Sequence, residues 1–278
     1  MPPSASRVRR VAVVSHGRVE AVADAIGRLQ RVAAAADVEL VFGEEEALKH
    51  GVPVDPRPDA AELAVVLGGD GTMLRALHRF LGTGVPVIGV NYGRVGFLAS
   101  MRPDELESGL SRAFRGEFDT TELATLEVTV GDTVHTAVND IVVSSAMPGR
   151  NVELGWALGG EQLGTQPCDG LICATPTGST AYNLSNGGPV LVWGLDAMAI
   201  SFVAPHSLTA RPLVVPRSRL LTVQNVTRDV ETMVIVDGHA VGALAPGAEA
   251  TVSLGPRNAL IASVPGVSFF RRYRDAFG

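Results

Sequence analysis

Apolar residues in the first hundred positions form short continuous runs, separated by stretches of helical spacing. The runs predict buried strands, and the stretches predict helices in which apolar side chains recur every three to four residues. The predicted strands cover 11–15, 38–42, 62–67 and 85–90, and the predicted helices cover 20–36, 72–81 and 103–114. Buried strands that alternate with helices are typical of a parallel sheet covered on both faces.

The second half of the chain instead alternates apolar and polar residues, which predicts half-buried strands joined by tight turns. These strands are predicted over 126–130, 134–145, 154–158, 171–174, 198–203, 220–224, 233–236 and 250–254, with a helical interruption at 178–185. The pattern predicts an α/β N-terminal domain with a parallel sheet over 1–100 and a β-rich sandwich C-terminal domain over 101–257. The tail, about 258–278, lacks strand alternation, and we expect it to return to the first domain.

Composition narrows the classes of protein that fit this pattern. The chain has 278 residues, of which 46 % are hydrophobic and 19 % charged, with a net charge of −6. Such a chain has material for a sizeable core, which excludes global disorder. The charge disfavours a nucleic-acid-binding protein, and we interpret the one arginine cluster, Arg271, Arg272 and Arg274, as a solvated terminus.

Several common signatures are missing from the sequence. Lys49 is the only lysine and does not follow a Gly-x-x-x-x-Gly pattern, which excludes a P-loop and the protein-kinase set. Neither Gly-x-Gly-x-x-Gly, Gly-x-Ser-x-Gly nor His-Glu-x-x-His occurs. No run approaches about 18 apolar residues, so we expect no signal peptide and no membrane span. Cys168 and Cys173 are expected to be free thiols in a reducing cytoplasm.

The segment Gly68-Gly69-Asp70-Gly71-Thr72 follows a predicted strand and opens a predicted helix. Glycines let the backbone approach a ligand closely, and a helix N-terminus offers free N–H groups to a phosphate. Thr72 is a candidate cap for this helix, and Asp70 stands at a strand end, where open α/β sheets bind ligands. An ordinary tight turn is the alternative, but the doubled glycine with the threonine favours a phosphate-binding loop.

A second segment, Asp169–Tyr182, runs from a strand into a turn dense in hydroxyl groups and then into a short helix. Hydroxyl groups beside helix N–H groups suit phosphates and ribose, and the ring of Tyr182 can stack on a base. A well-capped helix start is the alternative, but it explains only one or two of the hydroxyl groups. The hydroxyl side chains are Thr175, Thr177, Ser179, Thr180 and Tyr182.

Two more acidic positions adjoin apolar runs. Asp237-Gly238 follows the predicted strand 233–236, and we interpret it as a hairpin turn that precedes His239. Asn139-Asp140 lies inside an apolar run, where a buried carboxylate needs partners. A satisfied structural element and a ligand contact are equally good interpretations of that pair.

With these segments in place, the sequence resembles the NAD kinase family over most of its length. Gly68–Thr72 is similar to the family's GGDGT motif, and Asn139-Asp140 is similar to its Asn-Glu/Asp pair. The stretch 169–189 resembles its long DG-TPTGSTAY-S-GGP signature, which is far more specific than GGDGT. The stretches 91–98 and 206–213 resemble two further family segments.

The resemblance implies an enzyme that transfers the terminal phosphate of ATP, or of polyphosphate, to the 2′-hydroxyl of the adenosine ribose of NAD, giving NADP. It implies Mg²⁺ as the divalent metal, with Asp70 as the proton acceptor for that hydroxyl and a candidate metal ligand. It also implies NAD and ATP as small-molecule substrates, no nucleic-acid or membrane partner, and a homodimer or homotetramer. Because lysine is nearly absent, the metal and backbone N–H groups must carry the phosphate charge.

The family motifs place nucleotide-binding residues in both predicted domains. In the first domain they are Gly69, Gly71, Thr72 and Arg75, the last of which can reach a phosphate from one helical turn further on. In the second they are Asn139, Asp140, Arg150, Asp169, Thr177, Ser179, Thr180, Ala181, Tyr182, Asn183, Leu184, Ser185 and His239.

A few positions depart from the family's usual residues. His239 stands where many members have Gln, Asn186 replaces a common small residue, and Pro167 occupies a variable position. These departures concern nucleotide preference, so the sequence leaves open the phosphoryl donor, NAD against NADH, and feedback by NADP(H). A lipid kinase that shares GGDGT and a non-catalytic NADP(H)-binding sensor are the alternative functions. The sequence shows no apolar or basic patch for a membrane, and the intact Asp70 argues against the sensor.

Overall fold

The computed structural model of the chain describes residues 7–93 and 96–278. The strands, numbered along the chain, are β1 (Arg10–Ser15), β2 (Glu39–Val41), β3 (Leu63–Gly68), β4 (Val87–Asn91), β5 (Asp119–Leu123), β6 (Leu126–Val130), β7 (Thr133–Ala137), β8 (Asp140–Ser145), β9 (Val152–Leu158), β10 (Glu161–Cys168), β11 (Gly170–Ala174), β12 (Ala197–Val203), β13 (Leu213–Pro216), β14 (Leu221–Asn225), β15 (Thr232–Val236), β16 (His239–Leu244), β17 (Glu249–Leu254) and β18 (Ala259–Ser263). The α-helices are α1 (Ala23–Ala36), α2 (Glu44–His50), α3 (Asp70–Arg79), α4 (Leu106–Phe114), α5 (Tyr182–Ser185) and α6 (Phe269–Phe277).

The first unit comprises the residues up to Glu122 together with Ala259–Gly278. Its sheet has the order β2-β1-β3-β4-β18-β5, and β1 to β4 and β18 pair in parallel. All six residues of β3 are buried because helices cover both faces of the sheet, which is why its sequence is a continuous apolar run. The predicted parallel α/β architecture is confirmed.

The unit boundary differs from the predicted one near residue 100. Helix α4 packs on α1 through Leu110 and Phe114, and the N–H of Val8 donates to the carbonyl of Phe114, so this helix belongs to the first core. The tail contains a strand, β18, beside β4, and then α6. Four of the five residues of β18 are buried, so its sequence does not alternate between apolar and polar residues. The pattern analysis therefore did not predict this strand.

The second unit, Leu123–Asn258, is an antiparallel β-sandwich. One sheet has the order β10-β9-β14-β17-β6-β7 and the other has the order β13-β12-β11-β8-β15-β16. Alternate residues of both sheets, such as Val128 and Val252 in one and Ile141 and Cys173 in the other, share one apolar core. The predicted β-rich sandwich is confirmed, and Cys168 and Cys173 are buried free thiols.

The predicted strand 134–145 is in fact two strands in different sheets. Strand β7 pairs with β6, whereas β8 pairs with β11 and β15. Val138 and Asn139 form the crossing between the sheets, which puts Asp140 at the first position of β8.

Among the described residues, none of the helices has the length and hydropathy needed to span a membrane.

Candidate functional site

The glycine-rich loop after β3 lies at the carboxyl edge of the parallel sheet, next to the end of β4. The N–H of Tyr92 donates to the carbonyl of Gly68 over 3.1 Å. A side-chain carbon on Gly93 would lie 3.0 Å from the Cα of Gly69, so the two loops approach as closely as they do because both residues are glycine. Helix α3 begins at Asp70 with Gly69 as its N-cap, so Thr72 lies inside the helix and the predicted cap is wrong.

Two backbone donors fix the carboxylate of Asp70. One carboxylate oxygen accepts the N–H of Phe97 at 2.7 Å, and the other accepts the N–H of Leu98 at 3.0 Å. Both donors belong to the stretch 91–98, which resembles a segment of the NAD kinase family. Residues 94 and 95 of this stretch lie outside the described residues. Asp70 is half-buried, and charge-assisted bonds of this kind hold a carboxylate in one orientation.

Arg75, which the sequence predicts to reach a phosphate, contacts protein groups on β1 and α2. Its guanidinium donates to the carbonyl of Ser15 at 2.6 Å and forms ion pairs with Glu45 at 3.1 Å and Glu46 at 3.2 Å. Glu46 is buried on α2, where its other oxygen accepts the hydroxyl of Ser15. In this conformation Arg75 joins α3 to α2.

In the second unit, the Asn139-Asp140 pair is held by the carboxylate of Asp237. Asp237 accepts the N–H groups of Val138, Asn139 and Asp140 at 2.7, 2.8 and 2.9 Å. It reaches them from the two-residue turn between β15 and β16, which confirms the predicted hairpin, and both turn residues have positive φ. The sequence gives no local signal for this contact, since 97 to 99 residues separate its partners.

Asp140 is a buried carboxyl group with an altered acidity. Burial, and then the nearby charge of Asp237, raise its pKa from 3.8 to about 7. The backbone around it is satisfied structurally, yet its own carboxyl group is neutral or charged depending on conditions near neutral pH. The bonds to Asp237 thus give the backbone of the Asn139-Asp140 pair a structural role. They do not involve the carboxyl group of Asp140, which is a candidate ligand contact.

The raised pKa of Asp140 predicts a pH-dependent stability. Between pH 3.8 and about 7 the folded state binds the proton that the unfolded state has released, so the free energy of unfolding falls as pH rises through this window. We expect Asp140→Asn to remove a slope of up to about 1.4 kcal/mol per pH unit. Urea unfolding from pH 4 to 8 measures this slope, and Asp132→Asn, at an exposed position, is the control. An Asp140→Asn variant that keeps the wild-type slope contradicts the assignment.

The hydroxyl-rich turn after β11 uses most of its hydroxyl groups internally. Thr175 donates to the carbonyl of Val138 at 2.6 Å, Ser179 to that of Pro176 at 2.7 Å and Thr180 to that of Thr177 at 3.1 Å. The predicted phosphate and ribose contacts from Ser179 are not available in this conformation, because its side chain is fully buried. Asn183 is also fully buried and ties the turn to the carbonyl groups of Ser179 and Pro189.

Other side chains of this turn are exposed or lack a hydrogen-bond partner among the described residues. The hydroxyl of Thr177 is buried and has no hydrogen-bond partner among the described residues. Tyr182 is 45 % exposed, Ser185 is exposed, and Ala181 and Leu184 are half-buried. The carbonyl of Asn139 accepts the N–H of Thr175, and the exposed ring of His239 follows the Asp237 turn. The turn, the Asn139-Asp140 pair and His239 therefore lie at one end of the sandwich.

Arg150 and Asp169 lie at the opposite end of β11. The carbonyl of Asp169 accepts the N–H of Ser145 where β8 ends, and the exposed Arg150 pairs with Asp229 at 3.3 Å. The five residues of β11 separate Asp169 from Thr175, and six steps of extended chain span roughly 20 Å. A single chain thus does not bring these two predicted residues to the Asn139-Asp140 pair.

The two regions offer complementary chemistry. Asp70 presents an oriented carboxylate beside a helix N-terminus, where partial positive charge favours phosphate. The region around Asn139-Asp140 offers a carboxyl group, an unsatisfied hydroxyl and an exposed aromatic ring, which are the groups that recognise a nucleoside.

Comparison with known proteins identifies relatives of both units. The family model described as the ATP-NAD kinase N-terminal domain matches residues 20–118, and that of the ATP-NAD kinase C-terminal domain matches 138–264. The chain is 35 % identical to an NAD kinase of Gemmatimonas aurantiaca, covering 97 % of this chain and 96 % of the relative. It is 34 % identical to an NAD kinase of Ralstonia nicotianae, covering 97 % and 92 %.

Two solved structures share the fold. A yeast NADH kinase in complex with NADH superposes with a TM-score of 0.85 at 23 % identity, covering 100 % of this chain and 93 % of that one. An NAD kinase from Archaeoglobus fulgidus in complex with ATP gives a TM-score of 0.74 at 25 % identity, covering 97 % of both chains.

Proposed function

This chain belongs to the NAD kinase family and is an NAD kinase, and we propose that Asp70 serves the phosphoryl transfer while the region around Asn139-Asp140 binds NAD. The resemblance found in the sequence is thereby confirmed at the level of family and activity. The observation that carries the proposal for Asp70 is its carboxylate, fixed by two backbone N–H groups at the carboxyl edge of the parallel sheet.

In the proposed reaction, the 2′-oxygen of the adenosine ribose forms a bond to the terminal phosphorus of ATP. The bond from that phosphorus to the bridging oxygen breaks, and ADP leaves with the electron pair. Asp70 accepts the proton of the 2′-hydroxyl. In a loose transition state, orienting this hydroxyl contributes more than early deprotonation, so a carboxylate with one fixed orientation suits the task.

The residues at the loop fit a bound Mg²⁺. Among the described residues, each oxygen of Asp70 accepts one N–H, and a lone pair on each suits a further contact. Mg²⁺ in kinases is held by one or two carboxylates together with substrate phosphates, and it neutralises phosphate charge. We propose Asp70 as the protein ligand and ATP as the donor, with Gly69, Gly71 and Thr72 presenting the start of α3 to phosphate.

We propose that Asp140, Thr177, Tyr182 and Ser185 contact NAD, with Asn139, Ala181, Leu184 and His239 around them. Burial keeps Ser179 and Asn183 in a supporting role. Thr180 stays tied to the turn and Arg75 to α2 unless binding releases them.

Tyr182→Ala is expected to weaken NAD binding by roughly 5- to 150-fold, because stacking of a base on an aromatic ring contributes about 1–3 kcal/mol. Calorimetric titration with NAD measures the dissociation constant. Tyr182→Phe keeps the ring and is the control, with affinity close to wild type. An unchanged dissociation constant in Tyr182→Ala removes the residue from the pocket.

We also propose a cytoplasmic homodimer or homotetramer. The two buried free thiols suit a reducing compartment. Because Asp169 lies roughly 20 Å from Thr175 along one strand, a second copy is one means of bringing an Asp169 to the nucleotide region. Light scattering of the purified protein determines the number of copies.

The experiment that tests the proposed donor and metal follows NADP formation with a dehydrogenase specific for NADP. Purified protein receives NAD or NADH, with ATP or polyphosphate, with and without Mg²⁺. Product with ATP that requires Mg²⁺ supports the proposal. Product with polyphosphate alone overturns the donor assignment. Tight NADP binding without ATP consumption favours the sensor, and phosphorylation of a lipid headgroup instead of NAD favours the lipid kinase.

A further inference from the structure

Arg272, on the C-terminal helix α6, is a buried cation with an unusual set of partners. Its Nη1 donates to three successive carbonyl groups, those of Phe97, Leu98 and Ala99, at 2.9, 2.9 and 2.8 Å. Its Nη2 donates to the hydroxyl of Ser263 at 2.8 Å. The sequence interpretation of this arginine as part of a solvated terminus is wrong, because the residue is only 7 % exposed.

The segment Gly96–Ala99, here named the strap, connects Arg272 to Asp70. The peptide group between Phe97 and Leu98 gives its carbonyl to Arg272 and its N–H to Asp70. The N–H of Phe97 donates to the other oxygen of Asp70. A cation on the carbonyl polarises the peptide group and strengthens its N–H as a donor, so the guanidinium acts on the carboxylate through one covalent unit.

Side-chain packing adds a second link between the strap and α6. The ring of Phe97 contacts the rings of Phe269 and Phe277, with centroids 5.4 and 6.2 Å apart. Phe97 is buried, so these rings and the Arg272 bonds leave the strap little freedom. Helix α6 therefore packs against the strap that orients Asp70.

We propose that Arg272 is a positioning residue for phosphoryl transfer, which holds the strap so that the N–H groups of Phe97 and Leu98 orient the carboxylate of Asp70. This inference rests on the proposed role of Asp70. Burial lowers the pKa of Arg272 to about 10, against the opposing effect of Asp70, so the guanidinium stays charged at neutral pH. A buried charge bonded to four protein oxygens needs the complete set of partners, which gives the strap a single favoured conformation.

The test compares Arg272→Gln and Arg272→Lys with wild type. Arg272→Gln is expected to lower kcat by about 10- to 100-fold, because a small misplacement of a reacting group has an effect of that size. The KM for NAD is expected to change less than threefold, since the NAD-binding residues lie elsewhere in the chain. Arg272→Lys is expected to recover part of kcat, because an ammonium group donates to the carbonyl groups but lacks the guanidinium fork.

Amide hydrogen exchange provides a readout that does not depend on turnover. We expect faster exchange at Phe97 and Leu98 in Arg272→Gln, with unchanged exchange in the central strands of the first unit. Arg274→Gln is the matched control, since Arg274 lies on the same helix with an exposed side chain and pairs only with Asp275 among the ion pairs of the described residues. Its kcat and exchange are expected to equal those of wild type.

Ser263→Ala removes a single partner of Arg272 and covers the case in which Arg272→Gln does not fold. Wild-type kcat together with wild-type exchange at Phe97 and Leu98 in Ser263→Ala then overturns the positioning role. A cavity of about 460 Å³ lined by Arg272, Gly96 and Asn91 lies beside the strap. Added guanidinium is expected to restore part of kcat in Arg272→Ala through this cavity, and Ser263→Ala is expected to give a milder loss of kcat.

The outcomes separate the inference from the function it rests on. Wild-type kcat in Arg272→Gln, unchanged exchange at Phe97 and Leu98, or equally faster exchange throughout the first unit overturns the positioning role. A wild-type protein that makes no NADP instead overturns the function, and the exchange of Phe97 and Leu98 then still shows whether Arg272 holds the strap.

Discussion

Asp70→Asn is expected to lower kcat for NADP formation by about 10²- to 10⁴-fold, the range typical of removing a catalytic acid or base. The amide has no charge and cannot take the proton of the 2′-hydroxyl. The NH2 group of the asparagine also faces the N–H of Phe97 or of Leu98, each of which donates to the carboxylate in the wild type. The strap therefore loses a charge-assisted hydrogen bond. We therefore expect a small fall in melting temperature beside the large fall in rate.

Steady-state kinetics with saturating NAD and ATP, together with thermal unfolding, measure both effects. Asp104→Asn is the matched control, because Asp104 is an exposed carboxylate of the same unit that pairs with Arg102. Its kcat is expected to equal that of wild type. Near-normal turnover by folded Asp70→Asn excludes Asp70 from the reaction.

Gly178→Ala is expected to lower the free energy of unfolding by about 3 kcal/mol, the upper end of the usual effect of overpacking. The added carbon would overlap the carbonyl oxygen of Asn139, which is rigid backbone bonded to the N–H of Thr175. Either the turn or the crossing at Asn139 must move, and the groups that we propose to bind NAD then separate. We expect the dissociation constant for NAD to rise at least about tenfold, equivalent to 1.4 kcal/mol.

Gly155→Ala is the control for this substitution. Gly155 is a buried strand glycine of the same unit, but a carbon added there lies 3.4 Å from Cγ1 of Val226, which is ordinary contact. Urea unfolding and NAD titration of the two variants measure the difference. Equal stability and equal NAD affinity in both variants would contradict the packing assigned to Gly178.

Much of the fold is predictable from the sequence because burial imposes a pattern on it. The apolar run of β3 and the alternation of β6 follow from burial on both faces and on one face of a sheet. The apolar pattern does not predict helix α2, because this helix buries only Glu46 and Ala47. Its acidic first turn and its Gly51 cap are nevertheless local helix signals. Strand β13 is mostly exposed at a sheet edge and shows no such pattern.

Local sequence motifs indicate the parts of the candidate site whose residues are close in sequence, but not the contacts between distant residues. Asp70 and the turn around Gly178 belong to short motifs with local structural requirements. Arg272 lies 173 to 175 residues from the strap, and its sequence surroundings resemble a charged terminus. Asp237 was correctly predicted as a turn residue, but only the sandwich topology brings its carboxylate to Asn139. Contacts between distant segments depend on topology, which local patterns do not encode.

The most direct test of the account is analysis of the products formed from NAD and ATP by the purified wild-type chain. Phosphorus NMR identifies the phosphate ester that forms on NAD, and chromatography counts the ADP released. We expect one 2′-phosphate on the adenosine ribose for each ADP. Release of ADP without an NAD phosphate, or a phosphate on another hydroxyl group, contradicts it.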